Sequence, residues 1–160
     1  ETRPNTSTLV PERREELTTE GGLDVVGQRD NLRKVVKTLR DAEIEVSLFI
    51  DPDLDQVRAA HKVDAPRIEL HTGRYAEART VAEREVEFGR ILDCTKAARK
   101  LGLTVAAGHG LDYQNVQPIA AIEEIDELNI GYSIIGRAVF VGMERAVREM
   151  LELIGAAGRR

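Results

Sequence analysis

Short apolar runs alternate with helical stretches along the whole chain, and this alternation restricts the fold more than any other feature of the sequence. Val46 to Ile50 and Arg67 to His71 read as strands, the second stopped by Thr72-Gly73. A third strand, Leu103 to Ala107, is ended by Gly108-His109-Gly110, and a weaker one, Thr6 to Val10, is stopped by Pro11. A last strand is predicted to start at Leu128 and run on through Ser133-Ile134-Ile135. Between them, helices are predicted from about Gln28 to Glu43 (Leu32, Val35, Val36 and Leu39 at helical spacing), from Leu54 to Lys62, and from Thr80 to Lys100. Asp51 reads as the N-cap of the second helix and Pro52 as its first residue. Val81, Glu85 and Phe88 mark the early turns of the long helix, and Ile91, Leu92, Thr95, Ala98 and Leu101 continue its stripe. Asp112 caps a short helix around Asn115 to Ile122, and a closing helix carries Val139, Met143, Ala146, Val147, Met150, Leu151 and Ile154 on one face.

Five strand–helix units imply a parallel sheet covered by helices, an α/β fold. An eight-unit parallel barrel takes about 250 residues, or roughly 31 per unit. Five such units fill the 160 residues of this chain. An open doubly wound sheet of five strands fits the same length, so arithmetic leaves both open. No linker divides residues 1–160, which are expected to form a single domain. The chain opens at Glu1 rather than at a methionine, as a trimmed or partial chain would.

Composition narrows the function. Hydrophobic residues at 42% supply a core. A net charge of −5 argues against general nucleic-acid binding, which needs a basic footprint, but leaves room for a local anion site. The single cysteine, Cys94, excludes an internal disulfide framework and suits a reducing cytoplasm. No apolar run approaches the roughly 18 residues of a membrane-spanning helix, so no membrane partner is expected. No spaced Cys/His/carboxylate cluster points to a metal, and no phosphate-loop or dinucleotide fingerprint appears.

In either architecture ligands bind at the carboxyl ends of the strands. Four features fall there. His109, between Gly108 and Gly110, is a candidate proton-transfer group, or else a turn histidine bonding the backbone. Asn129-Ile130-Gly131-Tyr132-Ser133, followed by Gly136-Arg137-Ala138 at the expected start of the last helix, can present backbone N–H groups to a phosphate, or serve tight strand–helix packing. Thr18 to Asp24, with two hydroxyls beside Gly21-Gly22, suits a substrate-binding lid, or a capped solvent loop. Glu69 and His71 alternate with Ile68 and Leu70, so both face one side of their strand, with Thr72 just beyond. On the inside of a barrel Glu69 is either a site carboxylate or a paired structural one, since a lone buried charge is costly. His61 falls on a surface helix, and Cys94, mid-helix with no activating base, is assigned to packing.

Six segments in order, Leu9 to Glu12, Leu17 to Asp24, Val46 to Asp51, Ile68 to Gly73, Ala107 to Leu111 and Glu127 to Gly131, resemble the pyridoxine 5′-phosphate synthase family. The resemblance implies a TIM-type (β/α)8 barrel, of which this chain carries about five βα units, the fourth to eighth. It implies a vitamin B6 transferase that condenses 1-deoxy-D-xylulose 5-phosphate with 3-amino-2-oxopropyl phosphate, releasing phosphate and water. It implies no organic cofactor or metal, a cytoplasmic setting, and a homo-oligomer, commonly an octamer. By the same resemblance His109 is the catalytic proton donor. Thr18 is a substrate-binding lid residue, Gly110, Gly131 and Tyr132 occupy phosphate-contacting positions, and Glu69 lines the site. Tyr132 departs from the family, which has histidine there. The family's other catalytic histidine, its catalytic glutamate and several phosphate-gripping arginines lie on earlier strands, outside these 160 residues. The 160 residues alone are therefore expected to be inactive, with a non-catalytic phosphate-binding or interaction fragment of the same barrel as the alternative.

Overall fold

The computed structural model describes residues 4–11 and 21–158. Five strands form one sheet: β1 (Thr6–Leu9), β2 (Glu45–Ile50), β3 (Arg67–His71), β4 (Thr104–Gly108) and β5 (Glu127–Asn129). All neighbours are parallel, and the order follows the sequence, β1 to β5. A doubly wound sheet reverses its strand order at a switch point. This sheet has no reversal and curls into half a barrel, which removes the open-sheet alternative.

Helices follow every strand: α1 (Arg29–Asp41), α2 (Leu54–Lys62), α3 (Gly73–Glu77) with α4 (Val81–Lys100), α5 (Val116–Ala120), and α6 (Tyr132–Val141) with α7 (Met143–Ala157). Strand periodicity divides the sheet into two faces. Val46, Leu48, Ile50, Ile68, Leu70, Val105 and Ala107 face the helices and join one apolar core with Leu32, Val36, Val57, Ile91 and Cys94. Their alternates Ser47, Phe49, Glu69, His71 and Ala106 are buried on the concave face, outside that core. Near the amino ends of the strands Arg67 of β3 pairs with Glu45 of β2 at 3.5 Å. It also reaches over β4, where Ala106 leaves room, to Glu127 of β5.

Several sequence expectations hold closely. α2 covers the expected Leu54 to Lys62, with Pro52 ahead of it rather than its first residue, the bounds of β3 are those predicted, and α4 begins after Thr80, whose hydroxyl and Glu83 form a reciprocal cap. Cys94 is buried, and burial pushes its thiol up to about 12, so it packs rather than reacts. His61 is exposed. Along α4 the buried stripe is confined to Ile91, Cys94, Thr95 and Ala98, while Val81 stands in solvent.

Three expectations are corrected. The last strand stops at Asn129, and the stretch predicted to continue it is the first half of α6. An apolar run of this length carries no period that separates strand from helix. Gly136-Arg137-Ala138 accordingly lies within α6 rather than at a helix start. The single closing helix is two helices, broken at Gly142, whose φ of +84° lies in the left-handed region. Asp51 is not a helix cap. Asp53 caps α2, accepting the Asp55 and Gln56 backbone N–H groups at 2.8 and 3.1 Å. A short α3, absent from the sequence reading, follows Thr72 directly.

Candidate active site

The carboxyl ends of β3 and β4 are tied together by Thr72. Its backbone N–H donates to the Gly108 carbonyl at 2.8 Å. Its hydroxyl lies 2.8 Å from the same oxygen and 2.6 Å from the carbonyl of His109. These bonds hold a strained turn. His109 has a φ of +81° and Gly110 of +78°. The left-handed region costs a residue with a Cβ about 1–2 kcal/mol. Downstream, Asn115 Nδ2 donates to the Gly110 carbonyl at 3.1 Å, and Asn115 Oδ1 accepts the Asp112 N–H at 2.8 Å. Asp112 in turn accepts the Gln114 and Asn115 N–H groups, so it orders the turn before α5.

His109 thereby lines a cleft of about 730 Å³ together with Glu69, Gly110, Gly131, Tyr132, Phe49 and Asn129. Five of the six residues singled out from the sequence meet in this cleft. The sixth, Thr18, lies outside the described residues, as do Thr19 and Glu20. Gly21 and Gly22 of the same stretch are described. Gly22 donates its N–H to Asp51 Oδ1 at 3.1 Å, and a Cβ on Gly22 would stand 2.1 Å from the Asp51 nitrogen. Only glycine allows the loop to lie against the end of β2 this closely.

Burial sets the electrostatics. Glu69 is 8% exposed, and burial raises its carboxyl above the ordinary range against the opposing hydrogen bond from Asn129. His109 is shifted the other way for an imidazole: burial lowers it first, and the neighbouring His71 lowers it further. It rests neutral near pH 7, able to accept a proton and return it. Gly131 caps α6, and Gly131, Tyr132 and Ser133 at the start of that ten-residue helix line the cleft. Around Gly131 a Cβ would meet nothing within 4 Å, and Tyr132 is 97% exposed. Tight packing therefore does not account for the glycine.

Sequence reasoning missed the site positions of Asp51 and Phe49, while Asn129 entered it only as the start of the candidate phosphate-binding stretch. Phe49 stacks at 5.0 Å from His71 and 6.3 Å from His109, and the two histidine rings meet edge-on at 4.7 Å. Asp51 Oδ1 stands 3.0 Å from His71 Nδ1. That hydrogen bond is the main cause holding the Asp51 carboxyl below its usual range. Phe49 and Asp51 share the phase of Glu69 and His71 on a parallel strand, which was the available signal.

A second hollow of about 670 Å³, lined in part by Arg58, Arg90 and Asp93, lies toward α2 and α4. Arg58 and Arg90 there are already paired, with Asp55 and Glu87. Among the described residues no cluster of three or more His, Cys, Asp or Glu could hold a metal ion, and no helix is long and apolar enough to cross a membrane.

Residues 1–156 match the family profile described as "Pyridoxal phosphate biosynthesis protein PdxJ". The chain belongs to the PdxJ family. It is 57% identical over 155 residues to a pyridoxine 5′-phosphate synthase of Syntrophotalea carbinolica, covering 97% of this chain and 65% of that protein. A synthase of the same name from a Synechococcus species is 58% identical over the same shares. One from Desulforapulum autotrophicum is 51% identical, covering 96% of this chain and 64% of the relative. The chain thus spans just under two-thirds of the length of these PdxJ relatives. A solved structure described as the Amycolatopsis orientalis BexX/CysO complex is similar in fold, with a TM-score of 0.50 at 14% identity, over 87% of this chain and 54% of that one.

Proposed function

We propose that this PdxJ-family chain contributes to a pyridoxine 5′-phosphate synthase. The proposed reaction condenses 1-deoxy-D-xylulose 5-phosphate with 3-amino-2-oxopropyl phosphate by acid–base catalysis, yielding pyridoxine 5′-phosphate, phosphate and water. The observation that carries this reading is the strained His109 turn, held by Thr72 over a cleft that also contains Glu69. Strain of this kind persists where surrounding contacts over-determine it, and such sites are often functional.

Joining an amine to a ketone and closing a ring moves protons repeatedly and expels water. A positioned acid–base group serves each step, at roughly 10²–10⁴-fold apiece. His109, neutral at rest, takes a proton from one intermediate and delivers it to a leaving hydroxyl. Glu69, with its raised carboxyl, keeps a proton at higher pH than an exposed glutamate and lines the same wall. The free N–H groups at the start of α6, with Gly131 and Tyr132, receive a substrate phosphate. Thr18 closes the cleft from the loop anchored at Gly22, excluding water from imine and enamine intermediates. No metal or organic cofactor enters this scheme. The proposed setting is a complete (β/α)8 barrel in a cytoplasmic homo-oligomer, an octamer by family resemblance, with the remaining strands supplying further catalytic and phosphate-gripping groups.

The test is His109→Gln in the full-length protein. Turnover is expected to fall by about 10²–10⁴-fold with the fold intact. Near-normal turnover would reduce His109 to a turn residue and overturn the assignment.

A further inference from the structure

His71 is buried more deeply than His109, at 5% exposure, and the scheme above gives it no task. Its Nδ1 faces Asp51 Oδ1 at 3.0 Å. A carboxylate can only accept, so Nδ1 carries the hydrogen, and in the singly protonated ring Nε2 carries the lone pair. That Nε2 is buried and has no hydrogen-bond partner among the described residues. Buried polar atoms are rarely left unpaired without a reason. The surroundings are shaped around this nitrogen. A Cβ on Gly73 would stand 2.7 Å from His71 Nε2 and 3.3 Å from His109 Cδ2, so the glycine is what lets both rings come together. The rings already touch edge-on, with centroids 4.7 Å apart, and Phe49 backs them both.

We propose that Asp51 and His71 are positioning residues for His109: once His109 takes up a proton, its ring N–H is donated to His71 Nε2, while His71 Nδ1–H is donated to Asp51. This rests on the reading of His109 as the proton-transfer residue. The balance is simple. The proton arrives at His109 from a substrate intermediate, stays on the His109 ring while shared with His71, and leaves to the departing hydroxyl. No bond other than N–H forms or breaks on the protein. Asp51 supplies the negative charge that makes the protonated pair tolerable in a buried site. The other charged groups facing the pair are Glu69 on β3 and Arg74 and Glu77 on α3, and Arg74 acts on Asp51 while Glu77 acts on His109. The Gly22 N–H also donates to the Asp51 carboxylate and helps to fix it.

The experiment compares Asp51→Asn, His71→Phe, the double variant and His109→Gln in the full-length protein, following kcat, KM and the pH profile of kcat/KM. Asn removes the charge but keeps the shape. Phe keeps the ring packing but removes both nitrogens. Asp51→Asn is expected to lower kcat about 10–100-fold with KM changed less than about twofold, and to move the histidine limb of the profile to lower pH. His71→Phe should lower kcat to a similar extent, and the double variant should fall no further, because the residues act as one chain. An unchanged kcat and pH profile in Asp51→Asn overturns the proposal while leaving His109 as the proton-transfer residue. So do single losses that multiply in the double variant. If His71→Phe fails to fold, the Asp51→Asn profile alone decides. Normal turnover in His109→Gln removes the proton-transfer role of His109 and this inference together.

Discussion

The hydroxyl of Thr72 stands 2.6 Å from the carbonyl oxygen of His109, across the junction of two neighbouring strands. This contact, with the 2.8 Å approach to Gly108, offsets the left-handed backbone that turns the imidazole into the cleft. Thr72→Val keeps the shape and removes the hydroxyl. Leaving the His109 carbonyl unpaired should cost about 1–3 kcal/mol by denaturant unfolding. Small displacements of a catalytic group are expensive, so turnover should fall roughly 10–100-fold. Thr72→Ser, which keeps the hydroxyl, should restore most of both. If Thr72→Val turns over like the parent, the turn is held by other contacts.

Glu69 should oppose stability at neutral pH. Burial raises its folded pKa above that of an exposed glutamate. The folded state then binds the proton more tightly than the unfolded chain. The contribution of Glu69 to stability is greatest below the unfolded value and is lost as pH rises through the folded one. Glu69→Gln removes that titration. Its melting temperature relative to the parent should therefore rise between about pH 4 and about pH 7. A melting difference that is flat with pH would show that the carboxyl is not buried at this cost.

Two glycines, Gly108 behind Glu69 and Gly131 in the cleft, separate packing from binding. At Gly108 a Cβ would stand 2.7 Å from Glu69 Oε1 and 2.8 Å from the Asn129 carbonyl, so Gly108→Ala should cost about 1–3 kcal/mol in stability. At Gly131 the space is open, and its φ of −117° suits any residue. Gly131→Val should leave stability within about 0.5 kcal/mol. It should also raise the dissociation constant for a phosphate-bearing ligand, measured by calorimetry. Unchanged binding in Gly131→Val would take the phosphate away from the start of α6.

The sequence by itself determined the strand–helix alternation and the phase of β3, because a period of two in Arg67 to His71 places Ile68 and Leu70 on one face and Glu69 and His71 on the other. It also determined the start of α4, where Thr80 and Glu83 carry their cap within four residues of chain. Both rest on local geometry. Tertiary structure decided the rest. Strand order and curl arise from pairing between segments far apart in sequence, so length alone left the half-barrel and the open sheet equal. Tyr132 to Val141 became helix because an apolar run without a period takes its form from where the chain must go next. Asp51 reads locally as a helix cap, and only the pairing of β2 with β3 brings its carboxylate to His71, twenty residues on. A hydrogen bond between strands leaves no spacing in the sequence, and so the residue that orients the histidine pair became visible only when the sheet was formed.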